Sequence, residues 1–317
     1  MPGGLSSSQC VVVTGAAGLL GQHVMRALES LNTKRLVGVV RESSRFFGNK
    51  GMCGEYRVAD LADPAQIDDL RELSADIIVH TAARLPASLD DKVAAATNRA
   101  LDLNILDLAR KCRARLIYVS STAVYGNSKT PWNENSVSSE LPAYAAEKLR
   151  TEALVRSLDL PSVVLRISSP YSAIGVDRPG VLFHFVRQAI ADSEVRVRGN
   201  GTRAQDFVHA QDVAGAVSAI CGLWHDGQLQ DAWSPIFNIA SGFPITMLEL
   251  AERIVGICGS GRITLEGKPT AEDEYRAVVD ISRARRSLGW APLVSLDEGI
   301  AQMVRRLRGE DEDWLSF

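Results

Sequence analysis

The sequence predicts an α/β fold in which a doubly wound parallel sheet carries a smaller C-terminal α/β lobe. Two observations indicate this fold. Apolar, β-branched runs alternate with segments of helical periodicity, and a glycine-rich turn directly follows the first run. Strands that alternate with helices are joined by right-handed crossovers, which produce a parallel sheet covered by helices on both faces.

The individual elements can be read in chain order. Strands are predicted at residues 10–14, 36–40, 55–59, 76–80, 116–120 and 162–167, and the first of them is a continuous apolar run suited to burial on both faces. Helical periodicity is found at residues 18–31, 90–112 and 143–158. The helix over 90–112 is expected to have an apolar face that includes Val93, Leu103, Ile105 and Leu108.

The pattern changes after Ser168. Short strands, predicted at residues 195–197, 236–239 and 263–265, lie among helices and long connections that contain glycine and proline. We therefore expect a domain over residues 1–168 and a C-terminal lobe over 169–317, with strands and helices interleaved between the two. Because no Ser-, Gly- or Pro-rich linker separates them, the two units should pack tightly.

The turn after the first strand has the sequence T-G-A-A-G-L-L-G, with glycines at 15, 18 and 21. Gly15 permits a tight turn, Gly18 lets the backbone approach a pyrophosphate, and Gly21 lets the helix pack close to the sheet. The free N–H groups at the start of the helix, around Leu19 and Leu20, are suited to bind phosphate. The first domain is therefore predicted to bind a dinucleotide, and the C-terminal lobe to bind the substrate.

The end of the second strand bears on which dinucleotide is bound. NAD-binding units usually carry Asp or Glu there, but this chain has Arg41, with Arg45 and two serines shortly after. Guanidinium and hydroxyl groups suit a 2′-phosphate, so NADP(H) is favoured and NAD(H) is the alternative. The alternative without a functional role is that these residues form a solvent-exposed basic turn. Asp60 and Leu61 follow the third strand, where Asp60 is placed to meet the adenine amino group.

The composition excludes several classes of partner. Lys and Arg total 35 against 38 Asp and Glu, a formal net charge of −3, so the chain has no basic excess for binding nucleic acid. The longest uncharged apolar stretch, residues 10–21, is too short to cross a bilayer, and the N-terminus lacks a secretory signal pattern. Five dispersed cysteines and five histidines without ligand spacing predict neither disulfides nor a metal site. We expect a cytoplasmic protein that acts on a small molecule.

A candidate catalytic group lies on the helix over 143–158. Tyr144 and Lys148 are four residues apart and therefore stack on one face of the helix. An ammonium beside a phenol stabilises the phenolate, which lets the tyrosine exchange a proton with a carbinol oxygen during hydride transfer. The fifth strand ends in Ser120-Ser121-Thr122, and the carboxyl ends of parallel strands face the ligand crevice, where a hydroxyl can orient a carbonyl.

These segments resemble the extended short-chain dehydrogenase/reductase family, in the NAD-dependent epimerase/dehydratase group that mostly modifies nucleotide sugars. The matching motifs occur in order along the chain. They are T-G-A-A-G-L-L-G, A-D-L at 59–61, H-T-A-A at 80–83, T-N at 97–98, S-S-T-A-V-Y-G at 120–126, Y-A-A-E-K at 144–148, L-R-I-S-S-P-Y at 165–171, D-F-V-H-A-Q-D-V-A at 206–214, F-N-I-A-S-G at 237–242 and L-G-W-A-P at 288–292.

The resemblance implies a role for each matching position. Ser121 resembles the hydroxyl that holds the reacting oxygen, Tyr144 the proton-transfer residue, and Lys148 the residue that binds the nicotinamide ribose. Further cofactor contacts are implied for Ala82, Ala83, Asn98, Pro170 and Tyr171. The family also implies a homodimer through the helices at 90–112 and 143–158, and a loop at Arg84 that borders the substrate.

Departures from the family pattern narrow the expected activity. Sugar 4,6-dehydratases of the family carry Asp-Glu where this chain has Thr122 and Ala123, so dehydration is not expected. Positions associated with the nucleotide diphosphate also differ. Ser169 replaces an Asn, Gln205 replaces an Arg, and K-P-T-A-E-D at 268–273 replaces an Arg-x-Gly-Asp element. Arg203 and Arg276 are the expected substitutes.

The resulting hypothesis is an enzyme that interconverts a secondary alcohol and a ketone on a nucleotide-linked sugar. An NADPH-dependent ketoreductase is slightly favoured over an NAD-retaining epimerase. Two alternatives remain: a reductase of a non-nucleotide hydroxy or keto compound, and a catalytically silent dinucleotide-binding sensor.

Overall fold

A computed structural model describes residues 9–31, 33–43, 54–136, 138–173, 180–229, 235–269 and 271–310. The first part of the chain forms strands β1 (Cys10–Thr14), β2 (Arg35–Val40), β3 (Glu55–Val58), β4 (Ile77–His80), β5 (Arg115–Ser121) and β6 (Ser162–Ile167). Its helices are α1 (Leu19–Glu29), α2 (Pro64–Asp69), α3 (Lys92–Cys112) and α4 (Ala143–Arg156).

The C-terminal part has shorter strands among its helices. The strands are β7 (Ser169–Tyr171), β8 (Glu194–Arg198), β9 (Ala204–Gln205), β10 (Phe207–His209), β11 (Ile236–Ile239), β12 (Ile245–Thr246) and β13 (Arg262–Glu266). The helices are α5 (Val181–Ile190), α6 (Ala210–His225), α7 (Met247–Cys258), α8 (Ser282–Leu288) and α9 (Leu296–Arg308).

Seven parallel strands form the main sheet in the order β11-β6-β5-β4-β1-β2-β3. This confirms the predicted doubly wound α/β fold. Because the chain runs outward in both directions from β1, the carboxyl ends of β1 and β4 flank a topological switch point, where ligands bind in such sheets.

One predicted strand belongs to a different unit. Residues 236–239 were expected in the C-terminal lobe, but β11 pairs with β6 at the edge of the main sheet. All four of its residues are buried, because α8 packs against the strand. An apolar run of four residues does not by itself specify which strand it pairs with.

The buried face of α3 also differs from the prediction. Of the predicted apolar face, Ile105 and Leu108 are buried as expected, but Val93 and Leu103 are exposed. The polar side chains of Asn98 and Asp102 are buried as well. The helix is packed between α4 and the region of α2, so its inward face is set by those contacts and includes two polar side chains.

The C-terminal lobe has its own core. The strand pairs β10–β7, β12–β9 and β13–β8 form small two-stranded sheets. Helices α5, α7 and α9 pack on one another and enclose an apolar cluster that includes Val195, Leu250 and Ile300. Residues of this lobe and the carboxyl ends of the main-sheet strands border the same cleft.

Two histidines meet where α1 packs on α6. The rings of His23 and His209 make an edge-to-face contact with centroids 5.6 Å apart, and Nε2 of neither ring has a hydrogen-bond partner within the described part of the chain. Burial lowers the pKa of His23 to about 3, with smaller contributions from His209 and Arg26, and burial lowers the pKa of His209 to about 4. Both rings are therefore neutral in the folded protein near neutral pH.

This pair predicts acid-dependent loss of stability. An unfolded histidine binds a proton below a pH of about 6.5, whereas these folded ones do so only near their lowered pKa values, so stability falls as the pH drops below about 6.5. His23→Leu should reduce the loss between pH about 7 and about 4.5 by roughly 1–3 kcal/mol, measured by urea unfolding. The exposed His184→Gln is the control. Equal pH slopes in wild type and His23→Leu would contradict this.

Candidate active site

A cleft of about 2080 Å³ runs along the carboxyl ends of the central strands. Its walls come from the glycine turn after β1, the ends of β2, β4, β5 and β6, the start of α4, and residues of the C-terminal lobe. The cleft therefore lies at the switch point between β1 and β4, as expected for a sheet of this order.

The backbone around the glycine turn is packed too closely to admit side chains at Gly15 and Gly21. Gly15 has φ +69°, and a Cβ there would lie 2.7 Å from Cα of Ala82. A Cβ at Gly21 would overlap the carbonyl oxygen of Gly15 and lie 2.7 Å from Cα of Ala16. Gly18 precedes α1 and supplies no side-chain cap, so the first N–H groups of the helix, at Leu19 and Leu20, border the cleft. This arrangement fits the phosphates of a dinucleotide.

One end of the cleft is bordered by residues after β2 and β3. Arg41, Asp60 and Leu61, the residues expected to contact adenosine, line this end. Arg45 lies outside the described residues. Glu42 lies beside Arg41 and is exposed. This turn therefore carries a carboxylate as well as the guanidinium on which the predicted NADP(H) preference depends.

Tyr144, Lys148 and Ser121 all line the cleft. Tyr144 lies in the first turn of α4, where its N–H donates to the Leu89 carbonyl at 3.0 Å. Lys148 is one turn further along and only 3% exposed. Ser121 ends β5, and its Oγ accepts a hydrogen bond of 3.1 Å from the Ala123 N–H at the start of the 3-10 turn Thr122–Tyr125.

The Lys148 ammonium is bound by groups of the main sheet, on β5. Nζ donates to Tyr118 Oη at 2.9 Å and to the Val119 carbonyl at 3.3 Å, and it lies 3.9 Å from Oδ2 of Asp102. Asp102 was not identified from the sequence. A carboxylate on the buried face of a helix is a detectable signal, but Asp102 was not among the residues of the face predicted for α3.

Asn98 has a different position from the one implied by family resemblance. It was expected among the cofactor-lining residues, but it is 2% exposed and lies behind the cleft wall. Its Oδ1 accepts from the Arg84 N–H at 2.7 Å and its Nδ2 donates to the Arg84 carbonyl at 3.0 Å. Asn98 therefore shapes the cleft by fixing the backbone of the loop after β4. The remaining implied positions border the cleft directly: Ala82, Ala83, Arg84, Thr122, Ser169, Pro170 and Tyr171.

The lobe side of the cleft carries two arginines and several carboxylates. Arg203 Nη1 pairs with Glu272 Oε2 at 3.2 Å, and its guanidinium lies over the Tyr275 ring, 5.2 Å from the centroid. Arg276 Nη1 donates to the carbonyls of Asp273 and Tyr275, at 2.7 and 3.0 Å. Both arginines line the cleft.

The polar neighbours of Ser169 lie between the sheet and the lobe. Ser169 Oγ accepts a hydrogen bond from Gln205 Nε2. Next to them, the fully buried Asp206 accepts from Ser168 Oγ at 2.6 Å, from the Ser241 N–H and from the Gly242 N–H, both at 2.8 Å. This carboxylate ties the ends of β6 and β11 to β10, and it positions the wall of the cleft on which Ser169 lies.

Other classes of site find no support in the described part of the chain. No group of three or more metal-ligating side chains occurs there. Among the same residues, no helix is both long and apolar enough to span a membrane.

The fold and cleft define a dinucleotide-binding protein of the extended short-chain dehydrogenase/reductase type. The chain belongs to the NAD dependent epimerase/dehydratase family, whose model matches residues 11–240. Similar proteins include UDP-glucuronic acid decarboxylase 1 of Arabidopsis thaliana, 29% identical over 95% of this chain and 71% of that protein. Another is dTDP-4-dehydro-6-deoxyglucose reductase of Escherichia coli, 25% identical over 94% of this chain and 97% of that protein.

Solved structures agree with this assignment. UDP-glucose 4-epimerase of Thermotoga maritima, determined with UDP-glucose, superposes with a TM-score of 0.83 at 25% identity, covering 95% of this chain and 99% of that one. UDP-glucose 4-epimerase of Thermus thermophilus, determined with NAD, has the same fold, with a TM-score of 0.80 at 23% identity over 96% of this chain and 100% of that one.

The tight packing at the turn predicts a strong effect of Gly21→Ala. Because the new methyl group meets backbone, which cannot move aside, we expect a loss of about 1–3 kcal/mol in the free energy of unfolding and weaker dinucleotide binding. Thermal melts and fluorescence titration with NADPH and NADH measure the two effects. Gly256→Ala in α7, where a Cβ meets nothing within 4 Å, is the matched control and should cost nothing. An unperturbed Gly21→Ala would contradict the predicted effect.

Proposed function

We propose that this protein transfers hydride between a nicotinamide dinucleotide and a secondary carbinol or ketone on a nucleotide-linked sugar. The observation that carries the proposal is the convergence of Ser121, Tyr144 and Lys148 on one cleft, beside a glycine turn fitted to a dinucleotide. The names of the relatives support a sugar nucleotide as the substrate class.

The chain's own residues supply binding, orientation and proton transfer. The bound dinucleotide supplies hydride acceptance and donation at its nicotinamide ring. Tyr144 accepts or returns the proton of the substrate oxygen, and Ser121 holds that oxygen by a hydrogen bond. The Lys148 ammonium, on the same helix face as Tyr144, stabilises the phenolate formed when Tyr144 gives up its proton. Arg203 and Arg276 are proposed to meet the diphosphate of the substrate.

Within this reaction class, an NADPH-dependent ketoreductase is our preferred activity, with an NAD-retaining epimerase as the second candidate. Arg41 at the adenosine end of the cleft favours a 2′-phosphate and thus the reductase. We do not propose dehydration as the net reaction, because Thr122 and Ala123 follow Ser121 where a water elimination would use carboxyl groups.

We place the protein in the cytoplasm. The described cysteines are free thiols, and Cys10, Cys221 and Cys258 are buried, which suits a reducing compartment.

Tyr144→Phe tests the catalytic assignment. Removing the hydroxyl should lower turnover of whichever sugar nucleotide the wild type converts by about 10²–10⁴-fold, because the group that donates and accepts the proton is lost. Dinucleotide affinity should stay within about twofold, since the ring remains in place. Steady-state assays on a panel of sugar and keto-sugar nucleotides, with fluorescence titration of the cofactor, measure both. Tyr56→Phe on β3 is the matched control. Undiminished turnover in Tyr144→Phe would exclude the mechanism and leave a dinucleotide-binding sensor as the better account.

Arg41→Ala tests the cofactor preference. We expect the wild type to bind NADPH at least about tenfold more tightly than NADH, about 1.4 kcal/mol, and the variant to lose that preference while keeping its affinity for NADH. Arg57→Ala, an exposed arginine on neighbouring β3, is the control and should leave the preference unchanged. Tighter binding of NADH by the wild type, or NAD retained through purification, would refute the NADPH assignment and favour the epimerase.

We also propose a homodimer through α3 and α4. Val93, Leu103 and Leu154 are exposed apolar side chains on these two helices, and Val93 is 62% exposed. Light scattering should give twice the chain mass for the wild type, and Val93→Glu/Leu103→Glu should give monomers. Leu293→Glu, at a residue 88% exposed outside these helices, should leave the dimer intact. A monomeric wild type would refute the proposal.

A further inference from the structure

The Lys148 ammonium faces a buried carboxylate from another helix. Asp102 projects from α3 and is 2% exposed, and its Oδ2 lies 3.9 Å from Lys148 Nζ. The phenol of Tyr118, on β5, bridges the two charges, since Oη accepts from Lys148 at 2.9 Å and donates to Asp102 at 2.7 Å. Asp102 is not among the residues that line the cleft, whereas Lys148 is.

Both oxygens of the Asp102 carboxylate have hydrogen-bond partners, and these partners come from three other elements. Oδ2 also accepts from Thr151 Oγ1 of α4 at 3.0 Å, and Oδ1 lies 3.0 Å from His80 Nε2 of β4. Because an ionised carboxylate can only accept, His80 donates through Nε2, and its Nδ1 pairs with Thr14 Oγ1 at 2.6 Å. The chain of contacts thus runs from the residue before Gly15 to the catalytic lysine.

The charge state of Asp102 is defined by these partners. Burial raises the pKa of Asp102, but the nearby Lys148 ammonium and the hydrogen bond from His80 outweigh it and lower that pKa to about 2. The same burial, together with the Asp102 charge, raises the pKa of Tyr118 well above its usual value, so the bridging phenol stays neutral. The Asp102 carboxylate and the Lys148 ammonium are therefore bridged by a neutral phenol, and all three side chains are almost fully buried.

We propose that Asp102 is a positioning residue of the active site: its carboxylate keeps the Lys148 ammonium charged and fixed one helical turn from Tyr144. The inference rests on the proposed roles of Tyr144 and Lys148. A buried ammonium without a counter-ion is strongly disfavoured and sheds its proton. Without Asp102, Lys148 would become a neutral amine, and the phenolate of Tyr144 would lose its stabilising charge.

Asp102→Asn is the direct test, because it removes the charge and keeps the shape. We expect the pH midpoint of Tyr144 phenolate formation to move about one unit or more to the alkaline side. The readout is the ultraviolet phenolate band of protein saturated with NAD⁺ or NADP⁺, whichever binds more tightly, with the Tyr144→Phe titration subtracted. Four of the six tyrosines, Tyr118, Tyr125, Tyr171 and Tyr275, have raised pKa values through burial and contribute little near neutral pH.

Two further variants separate this role from a structural one. Asp107→Asn removes an exposed carboxylate of the same helix and should leave the midpoint unchanged. In a Lys148→Met background, Asp102→Asn should give no alkaline shift, since no ammonium is left to lose its proton. If Asp102→Asn alone does not fold, the Asp102→Asn/Lys148→Met protein should fold, because the buried pair is then replaced by two neutral groups.

The outcomes distinguish the inference from the function on which it rests. An unchanged or acid-shifted midpoint in Asp102→Asn overturns the inference, as does a double variant that fails to fold along with the single one. If the wild type shows no Tyr144 phenolate until the alkaline range of an ordinary tyrosine, the proposed catalytic role of Tyr144 fails instead.

Discussion

The buried ammonium of Lys148 is the charge around which the candidate active site is arranged. A cation taken out of water is stable only if nearby groups replace its hydration and its counter-ion. Here the Val119 carbonyl and the Tyr118 phenol replace the water of hydration, and Asp102 supplies the counter-ion. Since these groups belong to β5 and α3, the environment of Lys148 depends on the packing of α4 against both. That dependence links the packing of these elements to one wall of the cleft.

The order of the sheet explains why the other groups reach the same place. Because parallel strands end at one edge of the sheet, Ser121 at the end of β5, Ala82 after β4 and Ser169 after β6 all line one cleft. Two buried polar side chains then hold the loops that follow these strands. Asn98 grips the backbone of Arg84, and Asp206 joins the ends of β6 and β11. Asn98 and Asp206 therefore shape the cleft through the loops whose backbone they hold.

The sequence was most informative where structure follows from local pattern. The turn between the first strand and helix, the strands of the first half and the helix that carries Tyr144 and Lys148 were predicted from local pattern, and the structure contains these elements. Long-range pairing was not accessible in this way. Nothing within residues 236–239 indicates that they join β6, and the inward face of α3 depends on contacts with α2 and α4. Asp102 was missed for the same reason, because its partners lie on β4, β5 and α4.

The most direct test of the central claim follows hydride from cofactor to sugar. Protein is loaded with reduced nicotinamide dinucleotide in which both hydrogens of the reactive ring carbon are deuterium. It is then mixed with keto-sugar nucleotides, and the products are examined by mass spectrometry. We predict deuterium bonded to the former carbonyl carbon, and no transfer by Tyr144→Phe. A product that forms without the label, or with hydrogen taken from the solvent at that carbon, would contradict it.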